Sequence, residues 1–97
     1  MTYSVKRYVC RTDLIVKVMP SQEKVNLYQG AILWLKKRVQ GGYLMRIHMS
    51  TTTHRDLIVS EFDLNNKLRK LESETVNAEE IIREFNMNLA SGSFSTK

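Results

Sequence analysis

The 97-residue chain predicts an α+β domain: two β-hairpin-plus-helix units (ββα-ββα) whose strands form a mainly antiparallel four-stranded sheet with helices on one face. Three observations predict it. Segments rich in Val, Ile and Tyr come in pairs, one pair before residue 20 and one after residue 42. An apolar run at helical spacing follows the first pair, and a capped apolar run follows the second. Asp13-Leu14-Ile15-Val16 also reappears as Asp56-Leu57-Ile58-Val59, each opening the second strand of its unit. An internal duplication would leave that mark, and so would chance among common strand residues.

Tyr3 to Cys10 and Leu14 to Met19, separated by Arg11-Thr12-Asp13, read as the first hairpin. Leu14, Val16 and Val18 share one face of the second arm, and Ile15 and Lys17 the other. Pro20 ends the strand, because it has no amide to give a ladder. Ser21 can cap a helix over Gln22 to Gln40, whose stripe is Val25, Tyr28, Ile32, Leu35 and Val39. Lys36, Lys37 and Arg38 crowd its last turn and Gly41-Gly42 stops it. Leu33 and Trp34 fall off the stripe, either widening the core or offering a contact surface.

Tyr43, Met45, Ile47 and Met49 alternate with Leu44, Arg46, His48 and Ser50, a half-buried strand. After the polar stretch 50–55, Asp56 to Phe62 completes the second hairpin. Asp63 can cap a helical segment carrying Leu64, Leu68 and Leu71. A last helix spans Ala78 to Ala90, with Asn77 and Glu80 as a capping box and Ile81, Ile82, Phe85 and Leu89 as its buried face. Residues 91–97 are small and polar, a flexible tail beyond a single domain over 1–90.

Composition places the chain among ordinary globular domains, with 42% hydrophobic and 26% charged residues. A domain of this size buries only about 60–65% of its unfolded surface, so its stability margin is thin and dimerisation would relieve it. Cys10 is alone, which excludes an intramolecular disulfide framework and fits a reducing compartment. The first twenty residues hold no continuous apolar stretch, so no signal peptide is expected, and no segment has the length of a membrane span. The expected location is cytoplasmic.

Charge is distributed unevenly. Ten of the fifteen Lys and Arg residues but two of the ten acids lie in the first 55 residues, a net +8, and the remainder carries −3. That asymmetry calls for an anionic partner of the first half. On the sheet face away from the helices, Lys6, Lys17, Arg46 and His48 would stand with Tyr8, and Lys36, Lys37, Arg38 and Arg55 would add phosphate contacts. Cations with an aromatic ring suit single-stranded DNA or RNA, where charges meet phosphates and rings stack on bases. The expected function is therefore non-enzymatic regulation by nucleic-acid binding. Two alternatives remain. One is an inhibitor or adaptor of the phage or mobile-element type, docking on a larger nucleic-acid-handling enzyme through Leu33, Trp34 and the acidic C-terminal helix. The other is a small metal-independent ribonuclease using His54 with Arg55 and Asp56. The two histidines and single cysteine lack metal-ligand spacing, so no metal or cofactor is expected.

Overall fold

A computed structural model describes residues 2–91. Seven strands come first: β1 (Thr2–Ser4), β2 (Arg7–Cys10), β3 (Leu14–Met19), β4 (Glu23–Leu27), β5 (Ile32–Val39), β6 (Gly42–His48) and β7 (His54–Val59). Helix α1 (Glu61–Asn66), β8 (Leu68–Lys70), β9 (Thr75–Asn77) and helix α2 (Ala78–Ser91) complete the described chain. Seven of the strands form one antiparallel sheet in the order β4-β3-β7-β6-β5-β2-β8, while β1 and β9 pair separately. The fold is mostly β, so the expected four-stranded ββα-ββα arrangement is overturned. Apart from Ser91, the expected tail lies outside the described residues.

One face of the large sheet makes the core. Leu14, Val16 and Val18 of β3, Leu27 of β4, Leu33 of β5, Met45 and Ile47 of β6, and Leu57 and Val59 of β7 meet Cys10 and Leu68 there, and Leu64 of α1 joins them. A fully buried Leu, Ile or Val contributes about 1.5–3 kcal/mol relative to leaving it in water, so this face dominates stability. The alternation expected of β3 and β6 is present: Ile15 and Lys17 point outward while their neighbours are buried. β2 has the opposite parity to that expected. Tyr8 and Cys10, not Val9, face the core.

The expected helix over Gln22 to Gln40 is instead β4, a turn and β5. Gly30, at φ 104°, sits in that turn, and its N–H donates to the Cys10 carbonyl at 3.0 Å. An L side chain resists that backbone conformation, so the chain reverses there and cannot continue as a helix. Spacing misled because β5 is covered on both faces at its start: Leu33 enters the core while Ile32 is buried beneath α2. A strand buried on both faces reads as a continuous apolar run, with no alternation to betray it. The glycine pair does not stop a helix: Gln40-Gly41 is a hairpin turn, Val39 pairs with Gly42 at the start of β6, and the two glycines take φ of 90° and 150°.

The first hairpin is also corrected. β3 pairs with β4 and β7, and β2 with β5 and β8, so the two N-terminal strands are not partners. The hairpin of β6 and β7 forms as expected. The two Asp-Leu-Ile-Val segments enter neighbouring antiparallel strands, but the units around them differ in topology and do not repeat. Ser60, not Asp63, caps α1: its hydroxyl accepts from the Asp63 N–H at 3.1 Å, and Leu68 begins a strand. The capping box of α2 is present, with Glu80 N–H donating to Asn77 Oδ1 at 2.9 Å and Asn77 N–H to Glu80 Oε1 at 3.0 Å. Its buried side is only half the expected one: Ile81 and Phe85 are half-buried. Glu84 and Asn88 are buried, whereas Ile82 is 57% and Leu89 61% exposed. Among the described residues no helix is long and apolar enough to cross a membrane.

Candidate nucleic-acid interface

The outer face of the sheet carries Lys17, Lys24, Lys37 and Arg46, and strand register orders its residues into rungs. Lys24 of β4 stands directly opposite Lys17 of β3, which neighbours Ile58 of β7, then Leu44 of β6, then Lys37 of β5. No acid stands in this rung. At about 4.8 Å between strands, Lys17 and Lys37 lie roughly 14 Å apart, with two apolar side chains between them. A bulge between Leu35 and Lys37 makes this possible. Strict alternation would put Trp34 and Lys37 on opposite faces, and the extra residue brings both outward. Ile15, 61% exposed, continues the apolar patch beside Lys17.

The next rung runs Met19, Asp56, Arg46, Trp34, Arg7. Arg46 donates to both Asp56 oxygens, Nε at 2.7 Å and Nη2 at 3.4 Å. That hydrogen bond holds the Asp56 carboxyl below its ordinary range and the Arg46 guanidinium above its own. Arg46 is thus already committed to a carboxylate. The third rung sets His48 opposite His54, with ring centroids 5.8 Å apart. The His48 ring also lies 4.6 Å from Trp34 and 6.4 Å from Phe85. Its Nδ1 is buried without a hydrogen-bond partner. Burial, reinforced by His54, Arg46 and Lys36, pushes the His48 pKa down to about 4, so the ring is neutral at pH 7.

α2 closes one end of this face through polar groups. Glu84 accepts from Arg7 Nη1 and from Trp34 Nε1, the latter at 3.0 Å. Asn88 Oδ1 accepts from the Ile32 N–H at 2.7 Å, and Asn88 Nδ2 donates to the His48 carbonyl at 2.6 Å. The Trp34–Arg46 register, carried two residues on, sets Ile32 opposite His48. The Asn88 carboxamide therefore spans two backbone groups that a further ladder rung would join, satisfying both.

The sequence-derived residues fall into distinct places. Lys6, Lys36 and Lys37 converge on one shallow depression, which Glu74 also lines. Lys17 lies across the face from them. Arg38 sits at the β5–β6 hairpin end, its guanidinium 5.2 Å from the Tyr43 ring centroid and bonded to Glu61 at 3.3 Å. Arg55 pairs in register with Ile47, a core residue, so it lies off the outer rungs, and its Nη1 donates to the His54 carbonyl. Tyr8 is packed against the core, which removes its ring from a stacking role. Leu33 is fully buried and has no surface to offer a partner. Trp34 is partly buried and tied to Glu84. Sequence reasoning passes over Lys24 because it sets that residue on a helix; once β3 and β4 form a hairpin, their register brings it opposite Lys17. Arg7 and Asn88 gave no sequence signal. Among the described residues no three His, Cys, Asp or Glu side chains converge to hold a metal.

Comparisons with protein-family models, curated proteins and solved structures return no match.

Proposed function

We propose that this protein is a non-enzymatic binding protein of the reducing cytoplasm whose open sheet face takes single-stranded nucleic acid. The observation that carries this reading is the Lys24–Lys17 pair: two like charges held directly opposite each other on adjacent strands, in a rung without an acid. Such a pair destabilises a sheet. An anionic ligand converts the same geometry into favourable contacts. Lys37, Lys36 and Lys6 provide a second cationic flank, and Ile15, Ile58 and Leu44 supply an apolar strip against which bases can lie. Phosphate contacts of this kind fix position and carry little sequence information.

Fluorescence anisotropy with labelled single-stranded DNA, duplex DNA and RNA across salt tests this. Neutralising about four phosphates of a single strand gives log K against log salt a slope near −3. Replacing Lys17, Lys24 and Lys37 together by Ala reduces that slope by about 2. Absent binding, or binding indifferent to these substitutions, overturns the reading. A second reading, docking on a larger protein through α2, draws on the outward Ile82 and Leu89. Under it, Ile82→Glu with Leu89→Glu abolishes binding to that protein and leaves the anisotropy unchanged.

A further inference from the structure

We propose that α2 is a displaceable latch that shuts the aromatic end of the binding face, an inference resting on the single-strand reading above. The helix's own carboxylate occupies what an anionic ligand would use. Glu84 takes the Arg7 guanidinium and the Trp34 indole N–H, and Phe85 sits beside the His48 ring. With α2 in place, Arg7 is buried and Trp34 only partly exposed. With α2 lifted, Arg7, Trp34 and His48, in the two rungs beyond the lysines, add one guanidinium and two stackable rings to the binding face.

The manner of docking makes lifting inexpensive. The apolar core cluster includes no described residue of α2, so the sheet keeps its core when the helix leaves. A helix bound permanently to a sheet turns its apolar stripe inward. Here the stripe is split: Ile82 and Leu89 point outward, Ile81 and Phe85 are only half-buried, and Glu84 and Asn88 are the fully buried residues of the contact. The buried Arg7–Glu84 pair adds little net stability, because desolvating both ions offsets most of their attraction. What remains is a few hydrogen bonds, the Phe85–His48 ring contact and the covering of Ile32, as expected of an element that opens locally.

The test uses the full chain, a labelled single-stranded 20-mer and the single tryptophan, Trp34. Asn88→Ala removes the clip to Ile32 and His48, and Glu84→Gln removes the charge facing Arg7. Each raises the population of the open state, so each tightens binding by roughly five- to thirtyfold and increases acrylamide quenching of Trp34. In the unaltered protein, hydrogen exchange supplies a readout independent of either variant. Adding the 20-mer speeds exchange of the α2 amides and the Ile32 N–H while the β6–β7 rungs keep their protection. If the 20-mer binds but tightens in neither variant and leaves α2 exchange unchanged, the latch is refuted and the binding face stands. If the 20-mer binds none of the three proteins, both proposals fall.

Discussion

Lys24→Glu should make the protein more stable and worse at binding. Lys17 and Lys24 are directly opposite on β3 and β4, both exposed, and share their rung with Ile58, Leu44 and Lys37. Cross-strand pairs of this kind contribute about 0.2–1 kcal/mol, unfavourable for like charges and favourable for opposite ones. Solvent screening at exposed positions keeps the swing small, so the variant gains about 0.5–1 kcal/mol. A chain of 97 residues unfolds with roughly 0.2 kcal/mol/K of entropy, which converts the gain to about 3–5 °C in Tm. Thermal melts followed by circular dichroism at low salt measure it. Repeating them near 1 M salt, where the screening length is about 3 Å, should erase the gain. In the anisotropy assay the same variant weakens single-strand binding, because a phosphate contact becomes a repulsion. A variant that is destabilised, or whose gain survives high salt, would refute the pairing on which the binding face is argued.

Three further outcomes are expected. Gly42→Ala should cost about 3 kcal/mol or more, read by urea denaturation, because its Cβ would be driven into the Val59 carbonyl oxygen, 2.9 Å from Ser60 Cα, at a φ of 150°. Stability should fall as pH drops from about 6.5 toward 4. His48 is held neutral in the fold, with its pKa near 4, while the unfolded chain binds its proton already near 6.5. Discounted for partial exposure, this amounts to about 1–2 kcal/mol. Asp56, whose pKa is lowered by Arg46, adds loss in the same direction at lower pH. His48→Asn should flatten the upper part of the curve, and an NMR titration of the ring should show the low midpoint. The Cys10 thiol, buried and pushed up to about 12, should not react with a thiol reagent until the protein unfolds.

How much of this was legible depended on whether a strand has one dry face or two. β3 and β6 have a dry inner face and a wetter outer one, so Leu14, Val16 and Val18 against Ile15 and Lys17 announced both the strand and its parity. β5 starts dry on both sides and ends wet, and its residues imitate a helix. α2 was placed almost to the residue because its capping box is local chemistry. Its orientation was only half legible, because sequence logic buries Ile82 and Leu89 along with Ile81 and Phe85, while the sheet offers the Arg7 guanidinium, the Ile32 N–H and the His48 carbonyl, which Glu84 and Asn88 meet. For the same reason the lysines of the open face were visible individually, but the Lys24–Lys17 opposition needed the correct hairpin.

The strand order also dictates a sequence of events in folding. β5, β6 and β7 are consecutive in the chain and adjacent in the sheet, whereas the local β3–β4 hairpin must wait for β7 to join it, and β2 for both β5 and β8. Closing those longer loops costs entropy before any contact rewards it. The β5-β6-β7 meander, turned by Gln40-Gly41 and by residues 49–53, is therefore the natural nucleus. The earlier strands add to its two sides afterwards. Substitutions in those two turns should slow refolding, while those in β2, β3 and β4 chiefly hasten unfolding. β3 and β4, which carry the Lys17–Lys24 pair, thus take their place against a template made later in the chain.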